Sequence, residues 1–264
     1  MFVADWLTLW KTPWETRYGV KYARNGISSN DGDVCISFVT YDFLKNRKNP
    51  ICLDIGADDC WWSIFCCQHF PTTQVDAFEP NKKPSEWIDT FRKEYPGIRL
   101  YNKAISDTAG TIPFTVAGSD SHSRGDSSQK VECLTLDFLL TLYESVDMIK
   151  IDTEGHELAV LNNIVPYASK IEGIIFECSV YWYGTTKETA VSNIFKILTS
   201  YKNVYPFFYV VSRRGPPILT DSSNLEYLHS LLENAFDTTY QFDMFMTKNA
   251  FSLETQFPSP DSIQ

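Results

Sequence analysis

Four apolar runs constrain the fold more than any other feature: ICLDI (51–55), QVDAFE (74–79), DMIKID (147–152) and IEGIIFEC (171–178). Near-continuous runs of this length belong to strands covered on both faces. Between them lie segments with helical spacing. WWSIFCCQHF (61–70) is stopped by Pro71, and Ile88, Phe91 and Tyr95 recur before Pro96. A further helix is expected from Gly155 to about Ile164. Another covers TTKETAVSNIFKILTSY (185–201), with Ala190, Ile194, Phe195 and Leu198 inward. Weaker strand signals near Ile98–Asn102, Val204–Val211 and Gln241–Thr247 bring the strands to seven. GTIPFTV (110–116) reads as a rim strand, because Pro113 would cost a ladder bond in a central one. The pattern predicts an α/β fold, a mainly parallel seven-stranded sheet with helices on both faces. Such sheets hold ligands beyond the carboxyl ends of their strands.

At 264 residues the chain suits one domain with decorations. The expected sheet domain runs over 49–250, after an aromatic-rich cap (1–48) and before a short tail (251–264). AGSDSHSRGDSSQK (117–130) reads as a mobile polar loop. Its Arg124-Gly125-Asp126 is read as a chance tripeptide rather than an integrin ligand. The formal charge is −10 with no basic run, which speaks against nucleic acid as a partner. Seven cysteines are scattered, often in apolar runs, and none forms a C-x-x-C pair. Buried reduced thiols are expected, and with them a cytoplasmic location. The amino-terminal stretch lacks the pattern of a signal peptide, and no apolar stretch is long enough to span a bilayer.

Chemistry concentrates at five strand ends. LDIGADDC (53–60) runs from a strand through Gly56 into a helix, where backbone and ligand can approach closely. A dinucleotide fold would want three glycines there. Glu79, ending the next strand, could accept hydrogen bonds from ribose hydroxyls, although an ordinary helix-start acid reads the same way. NKAISD (102–107) could wall an adenine. In MIKIDTEGHELAVL (148–161), strand alternation puts Lys150 and Asp152 on one face and Ile149 and Ile151 on the other. A buried lysine needs a partner or a lowered pKa, and Asp152 is the obvious partner. Glu154, His156 and Glu157 follow at a helix start, where negative charge is favoured in any case. Glu177 ends the last apolar run. The flank SVYWYG (179–184) could stack on a sugar ring or simply fill a core.

These segments in this order resemble the FkbM-type S-adenosylmethionine-dependent methyltransferases. The resemblance is carried by LDIGADDCWWS, AFEPN, NKAISDTAGTIPF, CLTLDFL, IKIDTEGHELAVL and IIFEC, all between Ile51 and Cys178. It implies a Rossmann-like class I methyltransferase fold with S-adenosyl-L-methionine as cofactor. Cofactor contacts are implied at Asp54, Ile55, Gly56, Ala57 and Asp59, at Glu79 and Pro80, at Ala104 and Ile105, and at Asp152. Lys150, Asp152, Glu154 and His156 are the catalytic candidates, with Asp152 or His156 as base. The acceptor expected is a hydroxyl of a sugar, glycan or other small molecule. Asp152, Glu154 and Glu177 also offer hard oxygen ligands, which leaves assistance by a divalent metal open. The chain departs from the family at Asp58, Asp59 and Cys60, where asparagine at 58 and a second glycine at 60 are usual. A Cβ at 60 is expected to crowd the methionine end of the cofactor. A non-catalytic binding module that keeps the fold is therefore the alternative, with a nicotinamide-dependent oxidoreductase behind it.

Overall fold

A computed structural model describes residues 31–82, 85–115, 129–213 and 219–253. The Arg124-Gly125-Asp126 loop, the first thirty residues and most of the tail lie outside them. The main sheet contains β1 (Ile51–Ile55), β2 (Gln74–Phe78), β3 (Ile98–Tyr101), β7 (Val146–Ile151), β8 (Ile171–Cys178), β9 (Phe207–Val211), β10 (Leu219–Asp221) and β11 (Phe242–Thr247). Their order is β10-β9-β11-β8-β7-β1-β2-β3. The run from β3 to β8 is parallel throughout. β11 lies antiparallel between β8 and β9. These are the seven strands expected, and β10 adds an eighth, three residues long, on the β9 edge. Reversal of one strand between two parallel neighbours is the topology of a Rossmann-like class I methyltransferase.

A second, three-stranded sheet has the order β4-β6-β5, formed by β4 (Ala104–Ser106), β5 (Gly110–Pro113) and β6 (Lys130–Thr135). Pro113 falls on the edge strand β5, as its missing N–H requires. Ala104 and Ile105 therefore belong to this small sheet rather than to a plain loop after β3.

Helices cover both faces. On one side α1 (Asp31–Leu44), α2 (Trp61–His69) and α3 (Ser85–Glu94) contribute Ile36, Val39, Trp62, Phe65 and Phe91 to a core with Cys52, Met148, Ile175 and Phe245. On the other, α4 (Leu136–Leu140), α5 (Glu157–Ile164), α6 (Lys187–Tyr201) and α7 (Leu225–Thr238) pack on Leu53, Ile55, Ile149, Ile151, Ile174 and Phe176. Alternate residues of each strand feed opposite cores, as the two-residue period demands. No helix of the described residues is long and apolar enough to cross a membrane.

The sequence reading contained no helix corresponding to α7. Its signals are nonetheless present. Asn224 caps it, accepting from the backbone N–H groups of Glu226 and Tyr227 at 3.0 Å each. Leu228, Leu232 and Ala235 form its buried stripe. Replacing Asn224 with alanine orphans both donors and should cost about 1 kcal/mol of stability. Urea unfolding of the two proteins checks this; equal midpoints would mean that the cap contributes nothing.

Candidate active site

Parity along the strands fixes which side of the sheet carries the charge. Asp54 shares a face with Cys52, Lys150 with Met148, Glu177 with Ile175, and Asp243 with Phe245, all facing α1 and α2. The acids and bases thus gather at the carboxyl ends of β1, β7 and β8, beneath the start of α2.

Lys150 is almost fully buried, with Nζ 3.4 Å from Asp152 Oδ2 and 3.6 Å from Asp54 Oδ1. The Trp61 ring centroid lies 5.7 Å from the same ammonium, within reach of a cation–π contact. Ser63 Oγ donates to the other Asp54 oxygen at 2.6 Å. Asp54 Oδ1 has no hydrogen bond, only the ion pair with Lys150. Burial raises the Asp54 pKa, with Lys150 and Ser63 opposing it. The anticipated Lys150–Asp152 pair is present, and Asp54 is a second partner that the local pattern did not disclose.

On the other side of Asp152 stands Glu177. An oxygen of each of the two carboxyl groups lies within 4.8 Å of the other. Burial, and then the Asp152 charge, push the Glu177 carboxyl well above the ordinary range, with Arg213 opposing. Burial would also raise Asp152, but Lys150, the Glu177 carboxyl and Arg213 outweigh it and hold Asp152 low. Two adjacent carboxyls share one proton in this way, here with Glu177 as the donor. Glu177 Oε1 faces Arg213 Nη1 at 2.9 Å and accepts from Ser179 Oγ at 2.8 Å, so Oε2 is left to carry the proton.

Glu154 completes the cluster. Carboxylate oxygens of Asp152, Glu154 and Glu177 lie within 4.8 Å of one another. Their chemistry suits magnesium, but Glu177 is already engaged by a guanidinium and Asp152 by an ammonium. His156 does not join them. Its Nε2 meets Ser106 Oγ of β4 at 2.6 Å, and burial lowers its pKa against the pull of Asp107. Glu157 is an anchor. Its Oε1 accepts from Thr153 N, Thr153 Oγ1 and Gly155 N at 2.9, 2.9 and 3.0 Å, while Tyr183 OH reaches Oε2. These bonds tie down the loop in which Glu154 takes a left-handed φ of 54°.

Around the glycine turn two features stand out. The N–H groups of Gly56 and Ala57 both donate to Phe78 O, and that of Asp58 donates to Glu79 Oε2 at 2.9 Å. Those donors hold the turn to β2 rather than standing open to a ligand. Gly56 itself (φ +77°) is required by Asp152, whose carbonyl oxygen would lie 1.8 Å from a Cβ. The second concerns Cys60. It adopts φ +63°, the conformation a glycine would take, and its side chain is wholly buried as part of the apolar core under α1 and α2. Asp58 (φ +45°) and Asp59 remain partly exposed, as does Pro80. Ile55 and Ile105 point into the core, so any ligand contact from them would come from the main chain. Glu79 Oε1 also accepts from Asn81 N at 2.7 Å, which fixes its carboxylate between two loops.

The sequence profile described as the methyltransferase FkbM domain matches residues 41–205. The chain belongs to the FkbM methyltransferase family. It is similar to methyltransferase sdnD of Sordaria araneosa, 22% identical over 165 residues. That match covers 47% of this chain and 64% of the relative, so the chain spans a little under two thirds of that protein's length. Among solved structures it is similar to methyltransferase FkbM from Methylobacillus flagellatus KT. There the identity is 12% and the TM-score 0.46, with 87% of this chain and 47% of the other covered. It is also similar to the plantazolicin methyltransferase BamL in complex with a triazolic desmethylPZN analog and SAH. That identity is 12% and the TM-score 0.45, with 94% and 96% of the two chains covered.

Arg213 and Asp243 meet Glu177 only through the fold, whereas Ser63 and Ser179 reach Asp54 and Glu177 from nearby in the chain. The close approach of Asp152 to Gly56 carries a direct prediction for this FkbM-family chain. Gly56→Ala should lose on the order of 3 kcal/mol of stability in the absence of any ligand, since the clash is with backbone. Ligand-free thermal unfolding tests it, and a midpoint equal to wild type would return Gly56 to a purely ligand-facing role.

Proposed function

We propose that this chain transfers a methyl group from S-adenosyl-L-methionine to a hydroxyl oxygen of a sugar, glycan or other small molecule. The observation that carries the proposal is the placing, at the ends of the two strands that flank β1, of a fixed carboxylate after β2 and an ionised carboxylate after β7. Glu79 suits a ribose. Its oxygens are oriented by Asp58 and Asn81 N–H groups, and carboxylate oxygens accept more than one hydrogen bond each. The net acidity of the strand ends suits a cationic donor. When bound, S-adenosylmethionine would supply an electrophilic methyl group on a sulfonium.

Asp152 is then the base. Lys150 and Glu177 keep it ionised, and one edge remains partly exposed. A carboxylate of lowered pKa is a weak base, but an oxygen that has gained a methyl group becomes strongly acidic. Asp152 can therefore take the proton late in the transfer, which is what its charge state permits. Lys150 orients it and balances its charge. With two internal cations among the acids, we assign no metal. Tyr181, whose OH is linked to Glu177 through Gln241 and Ser179, supports a ring-shaped acceptor. Cysteines that are buried in the apolar core, six of the seven, support a reducing compartment such as the cytoplasm.

Two outcomes test the reading. S-adenosylhomocysteine should bind the wild type by calorimetry, and Glu79→Ala should weaken that binding about tenfold or more, the worth of one or two hydrogen bonds. Equal affinities would remove the ribose assignment. Asp152→Asn should retain donor affinity yet lower kcat for methyl transfer about a hundredfold, with no recovery or loss on adding chelator to the wild type. A variant of undiminished kcat would show that the base lies elsewhere.

A further inference from the structure

The acids at the strand ends form part of a longer row. Taken across the sheet from β11 and β9 to β1, the charges read Asp243, Arg213, Glu177, Asp152, Lys150 and Asp54, with the neighbouring carboxyls of Glu177 and Asp152, within 4.8 Å of each other, at the centre. Arg213 follows β9, a strand that contributes nothing else to the cluster. Its Nη1 lies 2.9 Å from Glu177 Oε1, and its Nε lies 3.7 Å from Asp243 Oδ2. Both acids and the guanidinium are buried. Ser179 Oγ binds the same Glu177 oxygen, and Gln241 Nε2 links that hydroxyl, at 3.0 Å, to Tyr181 OH, at 2.8 Å.

We propose that Arg213 is a positioning residue for methyl transfer: it fixes Glu177 Oε1, so that Oε2 donates to Asp152 and holds the base carboxylate toward the acceptor. The planar fork of an arginine is suited to the task, since it spans two carboxylates that a point charge could not bridge in one geometry. Without it, Glu177 would be held by Ser179 alone, and Lys150 would be the one cation left beside the pair. The other charges facing the pair are Lys150 and Glu154 from β7 and its loop, Asp54 from β1, Asp243 from β11 and Glu157 from α5. Of these only Lys150 is cationic, and it lies on the far side of Asp152. The assignment rests on the reading of Asp152 as base.

The test uses the whole chain, carbon-13 labelled at Asp and Glu side-chain carboxyls, with Asp152→Asn and Glu177→Gln assigning the two resonances. In Arg213→Met the Asp152 resonance should move and its titration midpoint should rise, because a cation that favours the carboxylate is gone. Arg213→Lys should fall between, and it carries the test if the methionine variant does not fold. Affinity for S-adenosylhomocysteine should stay at the wild-type value in both, while kcat falls about tenfold or more in Arg213→Met. An Asp152 resonance and midpoint identical to wild type in the folded variants would overturn the proposal. If the resonance moves but no variant, nor the wild type, binds S-adenosylhomocysteine, the donor assignment fails and the role of Arg213 in holding Asp152 stands.

Discussion

A buried ammonium is the constraint from which the rest of the strand-end geometry follows. Lys150 sits on a central strand between β1 and β8, where its charge is tolerable only with compensation. Asp54 and Asp152 supply it at 3.6 and 3.4 Å, neither close enough to be a short bond. Such a group is weak evidence of stabilisation, because desolvating three charges costs as much as their attraction returns. Its use is in arrangement. Each carboxylate fixed by Lys150 needs a further neighbour of its own, and the sequence of partners runs outward through Ser63 on one side and Glu177 and Arg213 on the other.

Backbone geometry holds that row in place. Ile55 O accepts from Asp152 N at 2.9 Å, and the absent side chain of Gly56 admits the Asp152 carbonyl. The glycine turn and the loop that begins at Asp152 are therefore one packed unit, so neither could shift without the other. Glu157 ties the following residues from below, and Glu79 ties the turn to β2. A donor bound over the turn and an acceptor over Asp152 would meet on a surface with little freedom to deform, which is what an in-line displacement needs.

What could be read from the sequence divides along the range of the interactions. The seven strands, the helices α2, α5 and α6, and the clustering of Lys150 with Asp152, Glu154 and Glu177 follow from period, breakers and strand-end rules, all local or nearly so. β4 and β10 are three residues each, too short to show a period. Arg213 pairs with Glu177 across an antiparallel strand inserted between them, and nothing in SRRG announces that partner. His156 looked like part of the cluster because it is close in sequence to Asp152. The first turn of α5 carries it instead toward Ser106 in the second sheet, which the sequence reading had not separated from the first. The turn's own N–H groups bond to Phe78 and Glu79, partners that only the packing of β1 against β2 brings near.

Left-handed backbone shows how the family's glycine motif survives the loss of its second glycine. Asp58, Cys60 and Glu154 are three of the described non-glycine residues at positive φ, and all flank the strand ends. Each costs on the order of 1 kcal/mol or more, and such strain persists where surrounding contacts over-determine the conformation. For Asp58 the determinant is the bond from its N–H to Glu79, and for Glu154 it is the trio of bonds at Glu157. For Cys60 it is burial: a thiol in the apolar core recovers apolar contact that glycine lacks. A side chain at this position faces the interior, so the substitution changes the energetics of the turn while leaving its path.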